Sequence, residues 1–211
     1  MNAMQREGPG QTDAAAQALL HGFITGRRSP RNYLDRPVDR AALLSLLEAA
    51  RRAASAANMQ PWNFIVARKE DKSAWERLFS CLLPGNQTWA GGAAVLMVVV
   101  ATLKVRTPKQ EEFRLPTSHY DTGLAMGNLT AQAMALGLML RNMAGIDRDR
   151  IREVYAIPAT HEPICGVALG WPASPESLPD RRRDFELEVQ ERRPLDAFVF
   201  GETWGEPAQF L

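Results

Sequence analysis

Arg27, Arg28 and Arg31 place three guanidinium groups within five residues, with Ser29 among them and Asn32 beside them. Guanidinium forks pair with phosphate oxygens through parallel N–H···O bonds, and a hydroxyl adds a short one. The chemistry on offer is the holding of an anion, and phosphate suits it well. A solvated turn explains the stretch equally well when it is taken alone. A second basic pair, Arg192 and Arg193, precedes Pro194, and solvated charge is the simpler reading there. Asn58, Gln60 and Asn86 carry amides suited to the edge of a heterocycle, and equally to loop capping and turns. Met143-Ala144-Gly145 could present backbone N–H groups to a ligand, or form an ordinary turn between helices.

Side-chain catalysis leaves no trace of its usual spacings. The chain has no GxSxG elbow, no HExxH, no Walker A loop and no GxGxxG after a strand. His21 reads as helical, His119 and His161 as loop residues, and no two histidines stand three or four residues apart. Cys81 and Cys165 form neither a CxxC pair nor a disulfide framework, so no metal is expected. An enzyme so equipped leaves the chemistry to a cofactor and supplies binding and orientation itself.

The elements that must position these residues follow from patterning. Residues 1–11 are polar and read as disordered. Leu19, Leu20, Phe23 and Ile24 give Thr12 to Thr25 a helical stripe, and Pro37-Val38-Asp39 introduces a second helix from Arg40 to Ala54. Ser55 to Pro61 is a loop, Trp62–Ala67 a strand and Asp71–Leu83 a helix, which Pro84-Gly85-Asn86-Gln87 breaks. Ala93–Thr102 is unbrokenly apolar, as suits a central strand covered on both faces. Lys104–Pro116 reads as a flexible or lid-like loop. Asp121–Arg141 reads as a long helix, apolar almost all round, with Gly123, Gly127 and Gly137 allowing close approach. A short helix over Asp147–Tyr155 and a third strand over Ile164–Leu169 complete the body. Residues 12–172 thus read as one domain, and 173–211 as an arm whose Phe198, Val199, Phe200 and Trp204 need something to pack on.

Lys plus Arg (25) nearly balances Asp plus Glu (24), so no global field draws the chain to nucleic acid or to anionic lipid. No apolar run approaches the length of a bilayer span, and the N-terminus has no apolar signal core. With reduced cysteines, these features point to a cytoplasmic protein.

Taken in order, the motifs resemble the FMN-dependent nitroreductase family. The resemblance rests on RRSPRNY (27–33), SAANMQPWNFIV (55–66), PGNQTWAGGAAVLMVV (84–99), YDTGLAMGNLTAQAMALGL (120–138), RNMAGID (141–147), PICGVALGWP (163–172) and RRPLDAFVFGETWG (192–205). It implies an α+β fold with a central, mostly antiparallel sheet flanked by helices. It also implies a homodimer that exchanges C-terminal arms, with FMN sites built from both chains. NAD(P)H would be the reductant, and a nitroaromatic, a quinone or a similar small molecule the acceptor.

By the same resemblance Arg27, Arg28, Ser29 and Arg31 form the phosphate-binding and ring-edge segment. In it Arg27 and Ser29 would hold the phosphate, and Arg31 would reach the pyrimidine edge of the flavin. Ser55, Ala56 and Asn58, with Gln60 close by, belong to the loop given to the other subunit's cofactor. Asn86 faces the ring, and the backbone of Met143, Ala144 and Gly145 supports N5 and O4. Arg192, with Arg193 as the alternative, closes on the phosphate from the arm. Where many members carry Pro-x-Glu-Gly, this chain has Asn142-Met143-Ala144-Gly145 and so no acidic side chain beside the ring. A specialised flavin enzyme on the same scaffold (dehalogenase, flavin-destroying or azoline dehydrogenase type) is the alternative within flavin chemistry. A non-catalytic FMN-binding protein is the alternative outside it.

Overall fold

The computed structural model describes residues 17, 19–106, 109, 111–178, 180–188 and 190–211. The expected disorder of residues 1–11 and the first part of the helix expected from Thr12 (12–16 and 18) lie outside them. The helix does not run through residues 19–21, and Leu19, Leu20, Phe23 and Ile24 are exposed rather than a packed stripe. What is described of that helix is a single turn, α1 (Gly22–Thr25), with His21 at its cap: Nδ1 accepts the Phe23 N–H at 3.2 Å.

Three helices start at an aspartate whose carboxylate takes an otherwise orphaned N–H. Asp39 accepts from Ala42 at the head of α2 (Arg40–Arg51), and Asp71 from Ala74 at α3 (Lys72–Phe79). Asp147 accepts from Arg150 at α6 (Arg148–Val154). Between α3 and α6, Pro84 does more than stop a helix, because it occupies the first position of α4 (Pro84–Ala90). A missing N–H costs nothing there, and the fixed φ suits the first turn.

The sheet contains β1 (Trp62–Arg68), β2 (Val95–Thr102), β5 (Met139–Met143) and β6 (His161–Gly170) in the order β1-β2-β6-β5, with every pair antiparallel. β2 is an inner strand, as its composition requires. Leu96, Val98 and Val100 enter the apolar cluster on one face of the sheet, with Leu78, Trp89, Ile146 and Ile151. Val95, Met97 and Val99 enter the cluster on the other, with Leu43, Leu46, Leu129 and Leu138. The period of two therefore loads both faces. Burying each such side chain is worth roughly 1.5–3 kcal/mol. α2 and α5 (Ser118–Ala135) cover one face, while α3, α4 and α6 cover the other. The expected α+β fold, helices on both sides of an antiparallel sheet, is what the chain adopts.

The structure differs from the sequence reading in several places. The segment Lys104–Pro116 is not a plain loop, since it contains the hairpin β3 (Lys104–Arg106) and β4 (Glu112–Arg114), with Lys104 paired to Glu112 at 2.9 Å. The helix expected over Asp121–Arg141 stops at Ala135, and Met139–Met143 is the fourth strand. Gly137 causes the stop. It sits at φ 75°, its N–H donates to the Met134 carbonyl at 3.1 Å, and the Leu138 N–H donates to Ala133 at 2.9 Å. That pair of bonds closes a helix in a way that continuation of the same chain direction cannot satisfy.

The same helix is not buried all round. Ala125, Leu129 and Ala133 lie inside, whereas Gly123, Leu124, Gly127 and Asn128 face outward. A Cβ added at Gly123 or Gly127 would meet nothing within 4 Å, so neither glycine serves a close approach within this chain. The fourth difference is α7 (Asp180–Leu187), a helix in the arm that the charged sequence did not announce. Two histidines also change place: His119 lies within α5 and His161 opens β6. Among the described residues no helix is long and apolar enough to cross a membrane.

Candidate functional site

The arginine turn lies between α1 and the isolated bridge of Tyr33 to Pro172, and the sheet holds it in several ways. Tyr33 is buried, and the single proton of its hydroxyl is shared between the carbonyls of Pro30 and Ala168, each 3.1 Å away, which moors the turn to β6. Burial raises the phenol well above its ordinary range, so it acts as a neutral donor. The Asn32 amide donates to the Ser177 hydroxyl at 2.7 Å, and the Leu34 N–H to the Trp171 carbonyl at 2.8 Å. The Arg31 N–H donates to the Glu186 carboxylate at 2.5 Å.

Beside this turn opens a cavity of about 590 Å³ lined by Arg27, Arg28, Ser29, Arg141, Glu186 and Arg192, among others. Two ends of the chain meet in it, the turn at 27–29 and the arm at 192. Arg27 Nη1 donates to the Ser29 hydroxyl at 3.0 Å, which leaves the hydroxyl proton for a ligand. Arg192 donates to the carbonyls of Gln190 and Glu191 at 2.9 and 3.0 Å, which folds its guanidinium back along the arm. Arg193 does not line this cavity; its guanidinium lies 5.5 Å from the centroid of the Phe198 ring. The Arg31 side chain is not among the lining residues either, although its charge is felt at Arg141.

A second polar cluster forms where α4 meets the turn after β5. The Asn86 amide donates to the Gly145 carbonyl at 2.9 Å, and the Leu83 N–H donates to the same oxygen at 3.1 Å. A Cβ at position 145 would stand 2.7 Å from Asn86 Nδ2, so a larger residue there would displace the Asn86 amide from this bond. The Ala144 carbonyl accepts from Ile146 at 2.9 Å. Both carbonyls are thus engaged within the protein. Met143 is buried in the core and contributes packing through its side chain. Met143 ends β5, and Ala144 and Gly145 lead from it towards α6, which corrects the expected turn between two helices.

Ser55, Ala56, Asn58 and Gln60 form a third group, and none of them lines the arginine cavity. Their loop is exposed yet tightly specified: the Gln60 N–H donates to Ser55 Oγ at 3.0 Å, and Gln60 Nε2 to the Asn58 carbonyl at 3.1 Å. Ala57, Asn58 and Gln60 hold φ of 47°, 55° and 48°, left-handed conformations that side chains other than glycine adopt at a cost. Asp121, buried at the start of α5, fastens the loop by accepting the Ala56 N–H at 3.2 Å and the Thr117 hydroxyl at 2.9 Å.

Sequence reasoning missed Arg141 on the sheet and Glu186, Leu187, Glu188 and Gln190 in the arm, all of which line the cavity. Arg141 was read as the last residue of a helix, and the glycine stop at Gly137 was the signal that places it on a strand. Nothing in the charged run around Glu186 marks it out.

Comparison with known proteins agrees with this geometry. The profile described as the nitroreductase family matches residues 24–171, from the start of the arginine turn to the end of β6. A solved structure of an FMN-containing oxidoreductase is similar at a TM-score of 0.82 and 32% identity, covering 97% of this chain and 98% of that one. An NADH dehydrogenase of Thermus thermophilus is 29% identical over 191 residues, 77% of this chain and 91% of its own length. An oxygen-insensitive NADPH nitroreductase of Salmonella typhimurium is 27% identical over 183 residues, 82% of this chain and 75% of its own. The match spans every strand of the sheet and the turn that lines the cavity, and on that extent the chain belongs to the nitroreductase family.

Proposed function

We propose that this nitroreductase-family oxidoreductase holds FMN and passes hydride from NAD(P)H to nitroaromatic, quinone or similar acceptors by a ping-pong route. Convergence carries the reading: Arg27, Arg28 and Ser29 from one end of the chain and Arg192 from the other line one cavity. That donor set fits a phosphate ester, because guanidinium forks and a hydroxyl with a free proton match its oxygens. Bound FMN would supply the hydride-accepting chemistry, which no side chain here provides.

The protein's part is to bind, orient and polarise. Arg27, Arg28, Ser29 and Arg192 would hold the phosphate, while Arg31 would present positive charge to the pyrimidine edge, where reduction builds negative charge. Asn86 and the N–H groups of Ala144 and Gly145 would orient the ring edge, with the Asn86–Gly145 bond fixing that corner in advance. Ala144 brings no carboxylate, so protons would come from water. The exposed, strained loop at Ser55–Gln60 and the exposed Phe198 and Trp204 of the arm support a homodimer in which each chain completes its partner's site.

Initial rates measured over a grid of NAD(P)H and acceptor concentrations test the route. Parallel double-reciprocal lines are expected, and intersecting lines that require both substrates on the enzyme together would contradict it.

A further inference from the structure

Three of the cavity's guanidinium groups stand on segments outside the sheet, Arg27 and Arg28 on the turn and Arg192 on the arm, whereas Arg141 stands on β5. Its Nη1 donates to the Ser29 carbonyl, so it ties the turn to the strand that leads on to Ala144 and Gly145. Its guanidinium lies 5.6 Å from the centroid of the Trp89 ring, which limits how it can turn. Burial and the neighbouring charge of Arg31 lower its pKa, although an arginine stays charged under such pressure. Glu186 is one anion that faces this half-buried charge and pulls its pKa the other way, and a phosphate in the cavity would be a second. Ser29 takes one donor, and the remainder of the fork is left to the cavity.

The balance of charge points the same way. Among the described residues, four arginines and two glutamates, Glu186 and Glu188, line the cavity, and they leave a surplus of two positive charges. A phosphate monoester carries about −1.5 to −2 at neutral pH. Without Arg141 the surplus would fall to one and the match to a dianion would be lost.

We propose that Arg141 is a specificity residue, a clamp on the sheet that makes the site select flavin bearing a dianionic phosphate over flavin without one. The proposal rests on the reading that FMN occupies this cavity. It adds a residue from the sheet to the donors on the turn and the arm, and it assigns a discrimination that turn and arm alone would make weakly.

The test is equilibrium titration of flavin-stripped, full-length protein with FMN and with riboflavin, followed by flavin fluorescence, in wild type, Arg141→Met and Arg141→Lys. Wild type should favour FMN. Arg141→Met should weaken FMN binding roughly tenfold to a hundredfold, as for loss of a charge-assisted hydrogen bond, and change riboflavin binding less than about threefold. Arg141→Lys, which keeps the charge but not the fork, should fall between them and covers the case in which the methionine variant does not fold. Parallel weakening of both flavins would overturn the proposal by showing that Arg141 merely props the turn. Unchanged FMN affinity in the variants would overturn it too. A wild type that binds both flavins equally sinks this proposal and leaves the FMN reading standing, whereas a wild type that binds neither sinks both.

Discussion

At the scale of single residues, the arginine turn works because its neighbours are fixed. Tyr33 and Asn32 pin it to β6 and to the start of the arm, so Arg27, Arg28 and Ser29 would meet the proposed phosphate already in position. Pre-positioned donors lose less entropy on binding, which is the reason to build an anion site on a moored turn. Arg27→Ala should therefore leave the fold and the dimer intact and weaken FMN retention by about tenfold or more. Equilibrium dialysis and sedimentation would check the two halves of that statement. Cys165 gives a residue-scale prediction about stability. Desolvation pushes its thiol up to about 11, against a small opposing pull from Arg148. The neutral thiol is favoured in the folded state, so the contribution is complete below the unfolded value near 9 and is lost as pH rises towards 11. Denaturant midpoints at pH 8 and pH 10.5 should fall less in Cys165→Ala than in wild type.

At the scale of elements, Gly137 decides the topology. By ending α5 in a left-handed turn it frees Met139–Met143 to become the edge strand that carries Arg141 to the cavity. An alanine there meets only ordinary contact with Trp171 at 3.6 Å, so its cost is conformational. Gly137→Ala should destabilise the fold by about 1–2 kcal/mol, read as a lower denaturant midpoint with an unchanged slope. This element also marks the limit of what the sequence displays. β2 is legible because Val95 to Val100 are branched or long apolar side chains that only a strand buried on both faces accommodates. Met139-Leu-Arg-Asn-Met143 contains no β-branched or aromatic residue, and its pairing with β6 wins through tertiary contact that no local pattern shows. The turn residues of the site were legible through charge and spacing. Arg141 and Glu186 were not, because their roles depend on where β5 and α7 place them.

At the scale of the whole molecule, the chain reads as half of a larger object. Leu124, Gly123 and Gly127 on the outer face of α5, with Trp204 at 90% and Phe210 at 82% exposure, leave apolar surface that a second copy would cover. The strained Ser55–Gln60 loop stands apart from this chain's own cavity, as a contribution to a neighbour's site would. Both features belong to one proposal, a homodimer holding FMN between its subunits. The visible absorption spectrum of the purified protein, recorded with and without NAD(P)H in the absence of air, tests it most directly. The account predicts a yellow protein whose flavin bands bleach when the nicotinamide is added. A colourless protein that FMN cannot reconstitute would contradict it.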